Sequence, residues 1–121
     1  MSKRVMVVDD SRIAYAQIRK LLDGTDYEIA EYCRNGESAI EAYGICNPDL
    51  VTMDIIMPDM DGFQAARAIL EKWPQARIVM ASSLAYDETL KEAKDLGTKG
   101  FVYKPFEKEA LLEAFGKALE D

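Results

Sequence analysis

Apolar residues in this chain follow two alternating rhythms: short, nearly unbroken runs, and longer stretches in which they return every three or four positions. Residues 4–8, 27–33, 50–53, 77–81 and 100–103 form runs with the lengths and compositions of strands, several of them rich in β-branched residues. Between and after them, Ala14/Ile18/Leu21/Leu22, Ala39/Tyr43/Cys46, Phe63/Ala66/Leu70, Leu90/Ala93/Leu96 and Leu111/Leu112/Phe115/Leu119 recur at helical spacing, so each helix can bury one stripe. A strand with one wet face would alternate apolar and polar residues. Continuous apolar runs therefore imply helices on both faces of a parallel sheet. The second strand, which carries Glu28 and Glu31, is expected at an edge.

Gly24, Gly36, Asn47-Pro48, Pro58, Gly62, Pro74, Gly97 and Pro105 fall where one rhythm gives way to the other. Five strand–helix units with short right-handed connections predict an α/β fold wound on both faces of one sheet. The chain has 121 residues, the usual size of one domain, and its last helical stripe reaches the final residues, so a single domain over residues 1–121 with no effector domain is expected.

Composition narrows the function. The chain is 49% hydrophobic and 31% charged, as in a water-soluble globular protein, and its apolar runs are far shorter than the roughly 20 residues of a membrane span. The net charge is −7 with no basic stripe, which disfavours nucleic acid as a partner. The start of the sequence lacks the apolar segment of a secretory signal, so a cytoplasmic location is expected. Cys33 and Cys46 match no metal or redox spacing and read as small buried hydrophobes. Histidine is absent, so any histidine chemistry must come from a partner.

In an open parallel sheet, functional groups gather beyond the carboxyl ends of the strands. Those ends carry Asp9 and Asp10, Asp54, Ser82 and Ser83, and Lys104. Singly, an aspartate or serine there is more often a helix cap, and Ser11 is expected to be only that. Together, clustered aspartates raise one another's pKa unless a cation neutralises them. An oxygen donor set without histidine or thiol points to magnesium, with manganese as the other candidate.

Asp9-Asp10, the run Asp54-Ile55-Ile56-Met57-Pro58-Asp59-Met60-Asp61-Gly62, Ser82 and Lys104-Pro105-Phe106 resemble the motifs of response-regulator receivers, and the likeness spans the whole chain. It is closest in kind to the CheY-like single-domain regulators of two-component signalling. The resemblance implies a flavodoxin-like fold with strand order 2-1-3-4-5, and a switch that accepts a phosphoryl group from a histidine kinase onto Asp54. It implies that Asp10 and Asp54 bind the metal directly, that Asp9 acts largely through water, and that the main-chain carbonyl of Ile56 completes the protein ligands. Lys104 would meet a phosphoryl oxygen, across a cis bond to Pro105. Ser82 and Phe101 would form the switch pair, changing the affinity of the face made by the fourth helix, fifth strand and fifth helix for a target protein. The protein itself would be a phosphoacceptor that catalyses its own phosphorylation and dephosphorylation, not an enzyme acting on another substrate, and is expected to be a monomer.

Among outputs, a chemotaxis type is favoured over an intermediate in a multistep phosphorelay, whose partner would be a phosphotransferase. A pseudo-receiver that only binds partners is disfavoured by the full set Asp9, Asp10, Asp54, Ser82 and Lys104. A flavin binder would have its cofactor phosphate repelled by Asp9 and Asp10, and a phosphatase of the haloacid dehalogenase type wants an aspartate where Ile56 stands. Ile56 and Leu84 are apolar at positions where other receivers carry groups that orient water, so slow self-dephosphorylation is expected.

Overall fold

The computed structural model describes residues 2–84 and 86–120. Strands and helices alternate throughout: β1 (Lys3–Val8), α1 (Arg12–Leu22), β2 (Tyr27–Cys33), α2 (Gly36–Cys46), β3 (Leu50–Asp54), α3 (Gly62–Lys72), β4 (Ile78–Ser82), α4 (Asp87–Leu96), β5 (Gly100–Tyr103) and α5 (Lys108–Ala118). All strand pairs are parallel, and the sheet order is β2-β1-β3-β4-β5. The flavodoxin-like order that the resemblance implied is therefore present.

Because successive residues of a strand face opposite sides, each buried strand feeds two cores. Val5 and Val7 of β1 pack with Ala14, Ile18 and Leu22 of α1 and with Leu111 and Phe115 of α5. Met6 and Val8 face the other way, into Ala39 and Tyr43 of α2, Phe63, Ala66 and Ile69 of α3, and Ala93 of α4. Fully burying a side chain such as Phe115 or Leu111 contributes about 1.5–3 kcal/mol, so losing either would loosen α5 from the sheet. As expected, β2 lies at an edge with Glu28 and Glu31 exposed.

Helix ends follow local chemistry. Ser11 caps α1 by accepting from the Ala14 amide, Asn35 caps α2 through Ser38, and Asp61 forms a capping box with Gln64 at α3. Asn47 (φ 49°) and Gly97 (φ 99°) end α2 and α4 in the left-handed conformation that satisfies the last carbonyls. α4 departs from its expected stripe: only Ala93 is fully buried, with Leu90 and Leu96 half-buried. Two strands also run one residue further than the apolar pattern indicated, since β3 includes Asp54 and β4 runs from Ile78 through Ser82. Main-chain pairing, which sequence hydropathy does not register, carries these polar residues into the ladder. Among the described residues no helix is long and apolar enough to cross a membrane.

Candidate functional site

Asp9 follows the last residue of β1, and its amide still donates to the Cys33 carbonyl of β2 (3.0 Å), so sheet pairing fixes its main chain. Its Oδ1 accepts from the Ser11 amide at 2.9 Å, which turns the chain into α1 and leaves Oδ2 facing the neighbouring strands. Asp54 closes β3 beside it. Both are nearly sealed from water, at 2% and 5% exposure, while Asp10 lies nearer solvent. One carboxylate oxygen from each of Asp9, Asp10 and Asp54 falls within 4.8 Å of the others.

Lys104 arrives from β5. Its amide donates to the Ser82 carbonyl at 2.9 Å, and its bond to Pro105 is cis, as the resemblance implied. Its ammonium lies 2.7 Å from Asp9 Oδ2 and 3.2 Å from Asp54 Oδ1, bridging the two buried carboxylates. Ser82, also buried, ends β4, and its hydroxyl accepts from the Leu84 amide at 3.0 Å. Between β3 and α3 the chain alternates: Ile55 and Met57 point into the core, and Ile56 turns its side chain outward. Phe101 stands on β5 half-buried against the core, 5.3 Å from the ring of Tyr103, and lines a cavity of about 230 Å³ with Leu90, Ala93 and Lys94 of α4.

Two buried carboxylates and one lysine leave an excess of negative charge. Burial pushes the Asp54 carboxyl up to about 6; the charge of Asp9 adds to this, and the charge and hydrogen bond of Lys104 only partly offset it. Burial alone would lower the Lys104 ammonium, but its hydrogen bond to Asp9 and the charges of Asp54 and Asp9 outweigh that and raise it. A hard divalent cation answers this arrangement, because the donors are all oxygen and the charge deficit is positive.

The family model for the response regulator receiver domain matches residues 5–116. The chain belongs to this receiver family. The chemotaxis protein CheY of Bacillus subtilis is 39% identical over 119 residues, covering 98% of this chain and 99% of that protein. Protein CcdB of the same organism is 40% identical over 116 residues, covering 96% and 97%. Among solved structures, CheY in the CheX-CheY-BeF3-Mg+2 complex from Borrelia burgdorferi superposes with a TM-score of 0.92 at 30% identity, covering 98% of this chain and 90% of that one. Receivers bind magnesium at an acidic pocket, and in this receiver Asp9, Asp10 and Asp54 form such a cluster.

The receiver thus brings five of the singled-out side chains, Asp9, Asp10, Asp54, Ser82 and Lys104, to one edge of the sheet, with the main chain of Ile56 beside them. Phe101 stands apart, further back along β5. Two features escaped the sequence reading. Asp9 has a direct ion-pair partner in Lys104, a pairing across the two intervening strands β3 and β4 that no local pattern reveals. The guanidinium of Arg34 donates to the Asp10 carbonyl at 3.3 Å, yet a lone arginine after β2 carries no distinguishing signal in the sequence.

Proposed function

We propose that this receiver is a phosphorylation-dependent switch in which Asp54 accepts a phosphoryl group from a phosphohistidine of a partner kinase. The observation that carries this reading is the clustering of Asp9, Asp10 and Asp54 within 4.8 Å, with Lys104 ion-paired to two of them. A carboxylate oxygen of Asp54 attacks phosphorus, the P–N bond breaks, and its electron pair leaves on the imidazole nitrogen of the kinase. Asp10, Asp54 and the Ile56 carbonyl would hold Mg2+ directly and Asp9 through water; the bound ion would supply positive charge against the transferring group.

The remaining work falls to the chain. Ile55 and Met57, buried in the core, anchor the loop after β3 and so hold the main chain of Asp54 at the strand end, from which its carboxylate would attack. Lys104, 3.2 Å from Asp54 Oδ1, can transfer its hydrogen bond to an oxygen of the new phosphoryl group, while Asp9 keeps its ammonium aimed at the pocket. Ser82 would then turn its hydroxyl from the Leu84 amide toward the phosphoryl group, and Phe101 would move into the space vacated. The open cavity of about 230 Å³ that Phe101 lines with Leu90, Ala93 and Lys94 lies on the α4–β5 face, so a turn of the ring would change the surface that a target protein meets. The readout face of α4, β5 and α5 would shift its affinity for a target protein, and the likeness to CheY proteins favours a chemotaxis-type target.

Incubation with acetyl phosphate and magnesium, followed by intact mass measurement, tests the central step. Wild type should gain one phosphoryl group and Asp54→Asn none. Uptake by both, or by neither, would reject Asp54 as the acceptor.

A further inference from the structure

The segment between β3 and α3 leaves Asp54, runs outward and returns, so that Gly62, the first residue of α3, lies directly on the main chain of Asp54 and Ile55. The Gly62 amide donates to the Ile55 carbonyl at 2.7 Å. A Cβ at position 62 would overlap the main-chain oxygen of Asp54 and stand 2.8 Å from its carbonyl carbon and 2.8 Å from Ile55 Cα. These are backbone atoms of buried residues, so they cannot yield without moving the end of the strand. Gly36 offers the contrast: a Cβ there would meet no main-chain atom at such range but Met60 Sδ at 2.8 Å, part of a flexible side chain, and Ala65 Cβ of α3 at 3.0 Å, a milder contact than that under Gly62 and remote from the Asp54 main chain.

The other side of this contact is also held. Asp61 Oδ1 accepts from the Gln64 amide and Gln64 Oε1 accepts from the Asp61 amide, each at 2.9 Å, which fixes the first turn of α3. Ile55 and Met57 are anchored in the core. An intruding atom at position 62 would therefore displace Asp54 and the Ile56 carbonyl relative to Asp9, Asp10 and Lys104, which sit on other strands.

We propose that Gly62 is a positioning residue for phosphoryl acceptance: its missing Cβ lets the capped first turn of α3 close on the Asp54 main chain and hold that carboxylate in register with the other pocket residues. This rests on the reading of Asp54 as the acceptor. Misplacing a reacting group by about 1 Å costs on the order of 100-fold in rate.

The test compares wild type, Gly62→Ala, Asp61→Ala and Gly36→Ala for phosphoryl uptake from acetyl phosphate at saturating magnesium, for magnesium affinity by calorimetry, and for folding by circular dichroism. Gly62→Ala should be folded yet about 100-fold slower at saturating metal, with weaker magnesium binding. Asp61→Ala, which loosens the turn without adding an atom, should be about tenfold slower, and Gly36→Ala should keep the wild-type rate. A folded Gly62→Ala with the wild-type rate overturns the proposal, as does Gly36→Ala slowed to the same degree. Should Gly62→Ala not fold, an unimpaired rate in Asp61→Ala overturns it. A wild type that takes up no phosphoryl group instead fells the reading of Asp54, and this inference with it.

Discussion

The two edges of the sheet treat charge in opposite ways. At the amino-terminal edge, cations meet the carbonyls that helices leave unsatisfied. Arg4 donates to the Cys46 and Asn47 carbonyls at the end of α2 (2.6 and 3.1 Å), and its amide donates to Asp49 Oδ2. Arg77 does the same at the end of α5, at 2.7 Å from the Ala118 carbonyl and 3.0 Å from that of Glu120. At the carboxyl-terminal edge, Asp9 and Asp54 are buried around one ammonium, with Asp10 close by. One edge is complete as folded. The other keeps a charge imbalance that only an ion or a chemical event can relieve, the kind of local cost found where function opposes stability.

Removing the key cation at each edge should separate them most widely. Lys104→Met leaves two buried carboxylates facing each other and should cost the ion-free protein about 3 kcal/mol at pH 8. Arg4→Ala, which exposes helix-end carbonyls to water, should cost about 1–2 kcal/mol. The pH dependence differs too. Toward pH 5, Asp54 takes up a proton in the folded state, so the Lys104→Met penalty should shrink while that of Arg4→Ala stays level. Urea unfolding with a chelator at pH 5 and pH 8 measures both. Parallel pH profiles for the two variants would erase the contrast.

Asp54→Asn should act in the opposite sense. The folded-state pKa of Asp54 is raised from 3.8 to about 6, so between those values the native protein holds a proton that the unfolded chain has released. Its contribution to stability is therefore present below pH 4, is lost as pH rises through 6, and stands as a full cost above that. The substitution should stabilise the ion-free protein by about 3 kcal/mol at pH 8 and by almost nothing at pH 4. Magnesium at ten times its dissociation constant should stabilise wild type by about 1.4 kcal/mol. Arg4→Ala should gain equally from the ion and Asp54→Asn should gain less, as thermal melts with and without magnesium would record.

The architecture was legible in the sequence because burial on two faces leaves a mark at every position of a strand: Val5 to Val8 are apolar on both sides of β1. α4 was harder, since Leu90 and Leu96 have helical spacing but a helix beside the edge strand β5 has less core to cover. The acidic residues were legible as types at strand ends; their convergence depended on strand order, which periodicity does not encode and the family resemblance supplied. The Asp9–Lys104 pair and the contact under Gly62 were not legible, because both are meetings in space between segments whose local patterns are ordinary. A glycine at a helix start reads as a breaker until the backbone beneath it is seen.

Ile56 and Leu84 give the finest form of the contrast, because they belong to the charged edge without belonging to its charge. Both side chains are exposed, at 58% and 42%, and the Leu84 amide is tied to the Ser82 hydroxyl. Neither can accept a proton from water or orient it for attack on an aspartyl phosphate. Replacing them with Asn at 56 and Glu at 84 adds groups able to hold a water without touching the buried carboxylates. Stability should stay within about 0.5 kcal/mol of wild type, as for exposed positions generally. Loss of the phosphoryl group, followed by intact mass after removal of the donor, should quicken about fivefold, a barrier change of roughly 1 kcal/mol. An unchanged lifetime would mean that the rate is set by the buried groups alone, and that the apolar rim has no part in timing the signal.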